Sequence, residues 1–396
     1  MQNLKTLDEL SAINCPVDRK LDILLLANLD YSAGCCADYI NAIKDLSEHR
    51  VTVRNPMVKS RLDKLLMRPY LSLKNNGKKF DVIIIHYSIC IISRNHISLI
   101  LRKQIQNFKG VKIVIIQDEY RWINKIMKEM IFLRIDGIIS LLNKQNLNKV
   151  YRHSKLKNIL KVNALAGYVS QHWIGRKVPN SAERKKHIVY RGNSLPFWLG
   201  NAAYEKSILS KKVLENFEGK GLIVDVSSKP EDRIYGDGWM NFMLSGKCVI
   251  GLEGGASIFD FDGSIENAVR HKLKLKPQAR YESIHDEILS HHEDQIYYRM
   301  ITPRSFEAIC MKTVQVMYPG EFSGILEPWR HYIPLERDFS NLKDVIDAIK
   351  DNYLLQEIAD RAYDDIIKPM KFSDSSLASG VDGCVNFLFS QISGRN

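Results

Sequence analysis

The chain has 396 residues, 45% of them apolar and 26% charged, and a formal net charge of +12. That length is too great for one ordinary core and the composition is that of a globular protein, which excludes a small single domain and a disordered chain. No uncharged apolar run reaches the roughly 18–20 residues of a membrane span, and the polar, acidic first ten positions do not read as a signal peptide.

In chain order, Asp22–Asn28 (Asp-Ile-Leu-Leu-Leu-Ala-Asn) reads as a buried strand, followed by a loop at Gly34 and a helix over Ala37–Leu46. Val51–Val53 is a second strand, Arg61–Leu73 a helix, and Phe80–His86 a strand of the continuous apolar kind found in parallel sheets. A helix at Ile97–Phe108, a strand at Val111–Ile116, a helix at Arg121–Leu133 and a strand at Ile135–Ser140 complete a doubly wound α/β pattern. The basic stretch Gly175–Lys186 reads as a linker, after which the pattern restarts. Strands are expected at His187–Tyr190, Gly221–Val226, Cys248–Leu252 and Val314–Tyr318. Helices are expected at Tyr204–Asn216, Trp239–Ser245, Tyr281–Leu289, from Pro303 to about Cys310, Leu342–Asp351 and Tyr353–Ile367.

Ligands of open α/β sheets bind beyond the carboxyl ends of strands, so the residues after each strand are the candidates. In the second half these are Arg191-Gly192, Ser227-Ser228, Gly254-Gly255-Ala256-Ser257, Pro303-Arg304-Ser305 and the loop of Gly320, Glu321, Ser323 and Gly324. A helix starting at Pro303 offers unpaired N–H groups and a positive dipole end to phosphate. Arg304 adds a fork of donors, and Glu307 can accept from a pair of ribose hydroxyls. In the first half, His86, Asp118 and Glu119 follow strands and are the titratable candidates for a base. Helix capping by Asp118-Glu119 is an equal alternative. Asp260-Phe261-Asp262 and His291-His292-Glu293-Asp294 have metal-ligand residue types, but a turn and a solvated connection explain them better, so no metal is expected. Tyr235 to Trp239 is either an aromatic platform or a helix start with Trp239 in the core.

The seven cysteines are odd in number, several lie in apolar runs and none has Cys-x-x-Cys spacing, which fits the reducing cytoplasm. The positive charge suits an anionic membrane surface or an anionic ligand. With no zinc-finger spacing and no RNP-like strand beside it, no nucleic-acid partner is expected.

The segment Pro303–Ala308, the loop Tyr318–Gly324 and the continuation Leu326-Glu327-Pro328-Trp329-Arg330-His331-Tyr332-Ile333-Pro334-Leu335 with Asp338–Asn341 resemble GT-B glycosyltransferases of a bacterial surface-polysaccharide (O-antigen or capsule) type. The resemblance is clearest over residues 188–350. It implies two Rossmann-like domains facing a cleft: an acceptor domain over 1–180, a nucleotide-sugar domain over 187–350, and helices over 351–396 that cross back. It implies a donor site of Arg191, Gly254, Gly255, Ser257, Arg304, Ser305, Glu307, Glu321, Ser323 and Gly324, with Arg191 on the diphosphate. Many retaining members carry two glutamates eight positions apart. Glu307 matches the second, whereas the first falls on Arg299, so inversion and retention both stay open. Asp118, Glu119 or His86 would serve as the base in an inverting reaction. The expected partners are a nucleotide-sugar donor, used as substrate with no cofactor, and a glycan or lipid-linked glycan acceptor. The protein is expected in the cytoplasm, in peripheral contact with anionic membrane. A sugar-nucleotide epimerase or hydrolase of the same shape, and a non-catalytic scaffold subunit, are the alternatives.

Overall fold

The computed structural model describes residues 4–13, 15, 17–30, 34–57, 74–75 and 78–393. The helix expected over 61–73 and residues 31–33 of the first strand exit lie outside them. Two compact units emerge, one of residues 1–164, 260–262 and 374–396, the other of 165–259 and 263–373. The division corrects the expected boundaries. Residues 165–186 belong with the second unit, as do 351–373, and of the C-terminal helices only the last rejoins the first.

In unit 1 the strands of the main sheet are β1 (Leu4–Thr6), β2 (Asp22–Leu26), β3 (Arg50–Arg54), β4 (Val82–Ile85), β5 (Val111–Ile116), β6 (Gly137–Ser140) and β7 (Leu160–Asn163). They form one parallel sheet in the order β1-β7-β6-β5-β4-β2-β3. The central strands β4, β5 and β6 are buried at every position, which explains why they are apolar apart from Lys112 and Ser140. The helices are α1 (Leu7–Ser11), α2 (Gly34–Leu46), α3 (Leu99–Asn107), α4 (Ile123–Leu133) and α5 (Lys144–Val150). From β4 to β7 the chain steps in one direction, and right-handed crossovers therefore put α3, α4 and α5 on one face of the sheet. An Arg102–Glu129 ion pair joins α3 to α4. The step from β2 to β3 runs the other way and puts α2 on the opposite face.

Unit 2 has a five-stranded parallel sheet of β8 (Lys186–Arg191), β9 (Val224–Ser227), β10 (Gly246–Gly251), β13 (Val314–Met317) and β14 (Tyr332–Pro334), in the order β9-β8-β10-β13-β14. Its helices are α6 (Asn201–Phe217), α7 (Asp237–Ser245), α8 (Ser264–Leu275), α9 (Tyr281–Ile284), α10 (Pro303–Cys310), α11 (Leu342–Lys350) and α12 (Asn352–Ala362). Ile188, Ile250, Val316 and Ile333 of the sheet pack with Leu209, Val213 and Phe217 of α6 and Ile349 of α11 into one core. Between β10 and α10 lies an antiparallel pair, β11 (Gly254–Ile258) and β12 (Glu293–Met300), that sequence periodicity did not reveal. The helix expected over Tyr281–Leu289 is α-helical only to Ile284 and widens to a π-turn over His285–Leu289. Arg184, in the expected linker, is instead buried and donates to the carbonyls of Pro179, Gly246 and Met311 and to Thr313 Oγ1.

The last helix, α13 (Asp374–Ser393), belongs to unit 1. Leu388 packs so closely at Gly137 of β6 that a Cβ there would stand 2.8 Å from it. A Cβ on Gly383 would stand 2.4 Å from the Leu10 carbonyl oxygen of α1. Side-chain-free positions on both elements thus let the helix settle against the sheet and α1.

Candidate functional site

All five strands of the unit 2 sheet are parallel, so their carboxyl ends share one edge, where such sheets bind ligands. Strand β13 leads into a tight loop in which Phe322, Ser323 and Gly324 all have positive φ (43°, 57° and 73°). Two non-glycine residues in that region store strain that neighbours must hold. The buried Phe322 ring packs against Tyr332 with centroids 5.2 Å apart, and the Phe322 N–H donates to Glu253 Oε1 at 2.7 Å. Glu253 stands just past β10, nearly buried, and burial raises its carboxyl above the ordinary range. A Cβ on Gly320 would stand 2.5 Å from Glu253 Oε2, so a side chain there would have to displace the carboxylate.

A cavity of about 440 Å³ opens beside this carboxylate, lined by Glu205, Glu253, Tyr297, Arg299, Glu321 and Arg337 among others. Arg337 Nε pairs with Glu205 at 2.9 Å, and Arg299 Nη2 holds Asp294 at 2.8 and 2.9 Å. Arg299 Nε is buried without a hydrogen-bond partner among the described residues. The lining therefore mixes acceptors and donors, as recognition of a polyhydroxylated ring requires. Glu253 is not among the residues expected from sequence, and the signal for it is a lone carboxylate directly after the apolar run Cys248–Leu252.

A second cluster surrounds the start of α10. Trp239 Nε1 donates to Glu307 Oε2 at 2.7 Å, and the Arg304 guanidinium lies 4.9 Å from the Trp239 ring centroid. Arg304 is exposed, and its one hydrogen bond among the described residues goes to the Arg191 carbonyl oxygen. Trp239 is thus half-buried beside Glu307, an aromatic face next to a carboxylate and a guanidinium.

Several expected site residues stand elsewhere. The Arg191 guanidinium is taken up by Asp225 at 2.7 Å and by the carbonyls of Asp232 and Asp225 at 3.1 Å, and it stacks 4.2 Å from the Phe242 ring centroid. It clamps β8 to β9, and only its carbonyl faces Arg304. Gly254, Gly255 and Ser257 lie in β11 and not in a loop. Ser257 is fully buried, with Oγ accepting from the Ala202 N–H that begins α6. Gly255 has φ 103°, and a Cβ there would stand 1.9 Å from the Tyr298 carbonyl oxygen, so its glycine serves strand pairing. Ser305 is buried with its N–H on the Thr302 carbonyl oxygen. Glu321, Ser323 and Gly324 remain exposed at the loop, with Ser323 Oγ accepting from the Ile301 N–H.

In unit 1, Glu119 and His86 are enclosed and not presented at the strand exits. Glu119 is fully buried and accepts from Ser140 Oγ at 2.5 Å and Tyr151 Oη at 2.6 Å. Burial raises its carboxyl to about 7. His86 is fully buried beside Tyr39 and Tyr87, and burial lowers its imidazole to about 3, so it stays neutral. Neither offers a surface to an acceptor hydroxyl. Asp118 is exposed at a φ of 55° and accepts from Tyr120 Oη at 3.0 Å. The start of α4 is not side-chain capped, so the capping alternative for Asp118-Glu119 does not hold either. Among the described residues no group of three or more His, Cys, Asp or Glu is placed to hold a metal ion. Asp260 is buried, its backbone bonded to Tyr120 and Trp122.

Two doubly wound parallel α/β units, the second with a polar cavity and a Trp–Glu–Arg cluster at its sheet edge, define the class. The particular fold follows from solved structures. An alpha-glucosyltransferase in complex with UDP aligns with a TM-score of 0.52 at 11% identity, over 93% of this chain and 99% of that one. An alpha-glucosyltransferase in complex with UDP-glucose and DNA containing an abasic site aligns with a TM-score of 0.52 at 12% identity, over 93% and 99%. The chain therefore has the GT-B fold. No protein-family model and no curated protein matches the sequence.

Proposed function

We propose that the protein is a glycosyltransferase that moves a sugar from a nucleotide-activated donor to a glycan acceptor, carried on lipid, in bacterial surface-polysaccharide synthesis. The observation that carries the donor reading is the pair of contacts that Trp239 makes with Glu307 and with Arg304 near the start of α10. In this reading Glu307 accepts from the ribose hydroxyls, while Arg304 and the α10 dipole stabilise the departing phosphate. The cavity beside Glu253 takes the transferred sugar, with Glu253 accepting from one of its hydroxyls. The UDP and UDP-glucose held by the two similar glucosyltransferases support a uridine nucleotide as the first donor to try. Catalysis rests on orientation and charge stabilisation.

The test is a thermal-shift panel of UDP, GDP, ADP, dTDP and CMP, since a ligand that binds only the folded state raises the melting temperature. One nucleotide should raise it, and Glu307→Ala should abolish the rise. Turnover of the matching nucleotide-sugar should fall strongly in Arg304→Ala without loss of folding. A flat panel with a well-folded protein refutes the donor reading and favours a scaffold role. Nucleotide release without added glycan favours hydrolysis or epimerisation.

A further inference from the structure

Two arginines, Arg299 and Arg337, line the cavity beside Glu253, and two guanidiniums in a sugar site would ordinarily suit an acidic sugar. Both are already engaged. Arg299 Nη2 lies on the two carboxylate oxygens of Asp294, at 2.8 and 2.9 Å. Arg337 gives Nε to Glu205 Oε1 at 2.9 Å and Nη1 to the Pro319 carbonyl oxygen at 3.1 Å. Each cation therefore has a carboxylate of its own, and Glu205 itself lines the cavity.

Two lining carboxylates are left over, Glu253 and Glu321, and neither is ion-paired among the described residues. They face a common space. Burial first, and then these two carboxylates, hold the Tyr297 hydroxyl above its ordinary range. Burial raises the Glu253 carboxyl, and Glu321 adds to the rise. Three lining glutamates with Asp294 make four acids against two arginines, so the cavity carries an acidic excess. The formal charge of +12 on the whole chain does not offset it, because exposed charges more than about 8 Å apart are largely screened at physiological salt.

We propose that this cavity selects the transferred sugar by charge: it takes neutral or amino-bearing sugars and rejects uronic acids, with Glu321 as a specificity-determining residue. The inference rests on the donor reading above and names the class of sugar in that site. A uronate carboxylate would come up against Glu253 and Glu321 with both guanidiniums held by other carboxylates, and like charges a few ångströms apart in a partly buried site repel. A hydroxyl or an ammonium meets the same two carboxylates as a hydrogen-bond donor. Specificity of this kind comes from repelling the wrong ligand and needs no added contact to the right one. Glu253 also holds the Phe322 N–H and so shapes its loop, whereas Glu321 is exposed on that loop and is the carboxylate that can be changed without unseating it.

The experiment titrates the full chain with UDP, UDP-glucose and UDP-glucuronate and reads each affinity from the rise in melting temperature. The two donors share a nucleotide and differ only in a hydroxymethyl group replaced by a carboxylate. GDP, GDP-mannose and GDP-mannuronate take their place if the guanosine nucleotide is the one that binds. The uronate donor should bind about ten-fold or more weakly than its neutral counterpart at low salt, and the gap should narrow as salt is raised. Glu321→Gln keeps the size without the charge and should narrow the gap to about three-fold or less. Glu321→Asp keeps the charge and should preserve most of it. The melting temperature without ligand checks that both variants fold. Uronate binding as tight as that of the neutral donor, or an equal gap in wild type and Glu321→Gln, overturns the proposal. No rise with any nucleotide removes the donor reading and this inference with it, whereas a nucleotide that binds while its two sugar forms are not told apart removes this inference alone.

Discussion

Glu119 is the most sharply testable residue of unit 1, because its environment separates a catalytic from a structural role. Its carboxyl titrates near 7 in the folded chain, against 4.5 for an ordinary glutamate, because burial disfavours the charged form. Between those two values the folded state holds a proton that the unfolded state has released. Stability therefore falls as pH rises from about 4.5 to about 7, and stays lower above that. The difference of about 2.5 pH units corresponds to about 3 kcal/mol at pH 8. Glu119→Gln keeps the shape and can still pair with Ser140 and Tyr151, but it carries no charge to bury. Relative to wild type, the variant should gain stability as pH rises from 5 to 8. About 2.5 kcal/mol of that difference develops between pH 5 and 8, so at about 2–4 °C per kcal/mol for a domain of this size the melting-temperature difference should widen by about 5–10 °C over that range. Thermal unfolding of both proteins across the series is the assay, with turnover measured alongside. Parallel melting profiles would refute the reasoning about burial, and loss of turnover in a well-folded Glu119→Gln would return this carboxyl to the chemistry.

Gly320→Ala places a methyl group against Glu253 without demanding an unusual backbone angle. It should push the carboxylate off the Phe322 N–H and lower kcat/KM about ten-fold, the order of a lost hydrogen bond to a charged group, while nucleotide affinity holds. Equal kcat/KM in the two proteins would detach Glu253 from the sugar. Arg191→Ala removes the clamp on Asp225 and should cost about 1–2 kcal/mol of stability, since both partners are partly exposed, with nucleotide affinity unchanged. A large loss of nucleotide affinity there would return Arg191 to the donor site.

Much of the scaffold was legible because a parallel sheet writes itself into sequence as unbroken apolar runs. Val82–Ile85, and Val111–Ile116 apart from Lys112, are apolar and buried on both faces. The Pro303 helix was equally plain, since proline at the first helical position and a glutamate one turn on are local signals. What sequence could not separate was the fate of a side chain at a strand end. Arg191 and Arg304 look alike as arginines near glycine or proline, yet Asp225 and Asp232 occupy one and leave the other exposed. Glu119 and Glu253 each follow an apolar strand, and only the packing of Ser140 and Tyr151 around one, and of the Gly320 loop around the other, closes the first and opens the second to a cavity. Gly254-Gly255 read as a loop because its strand partner lies some forty residues on, beyond any local periodicity. The sequence by itself determined the alternation of strand and helix, the two α/β units and the cationic excess, all properties of local pattern and composition. Tertiary structure alone decided which carboxylates are buried, which arginine stays exposed, and which helix carries the C-terminus back to unit 1. Each of those depends on what a distant segment places within a few ångströms.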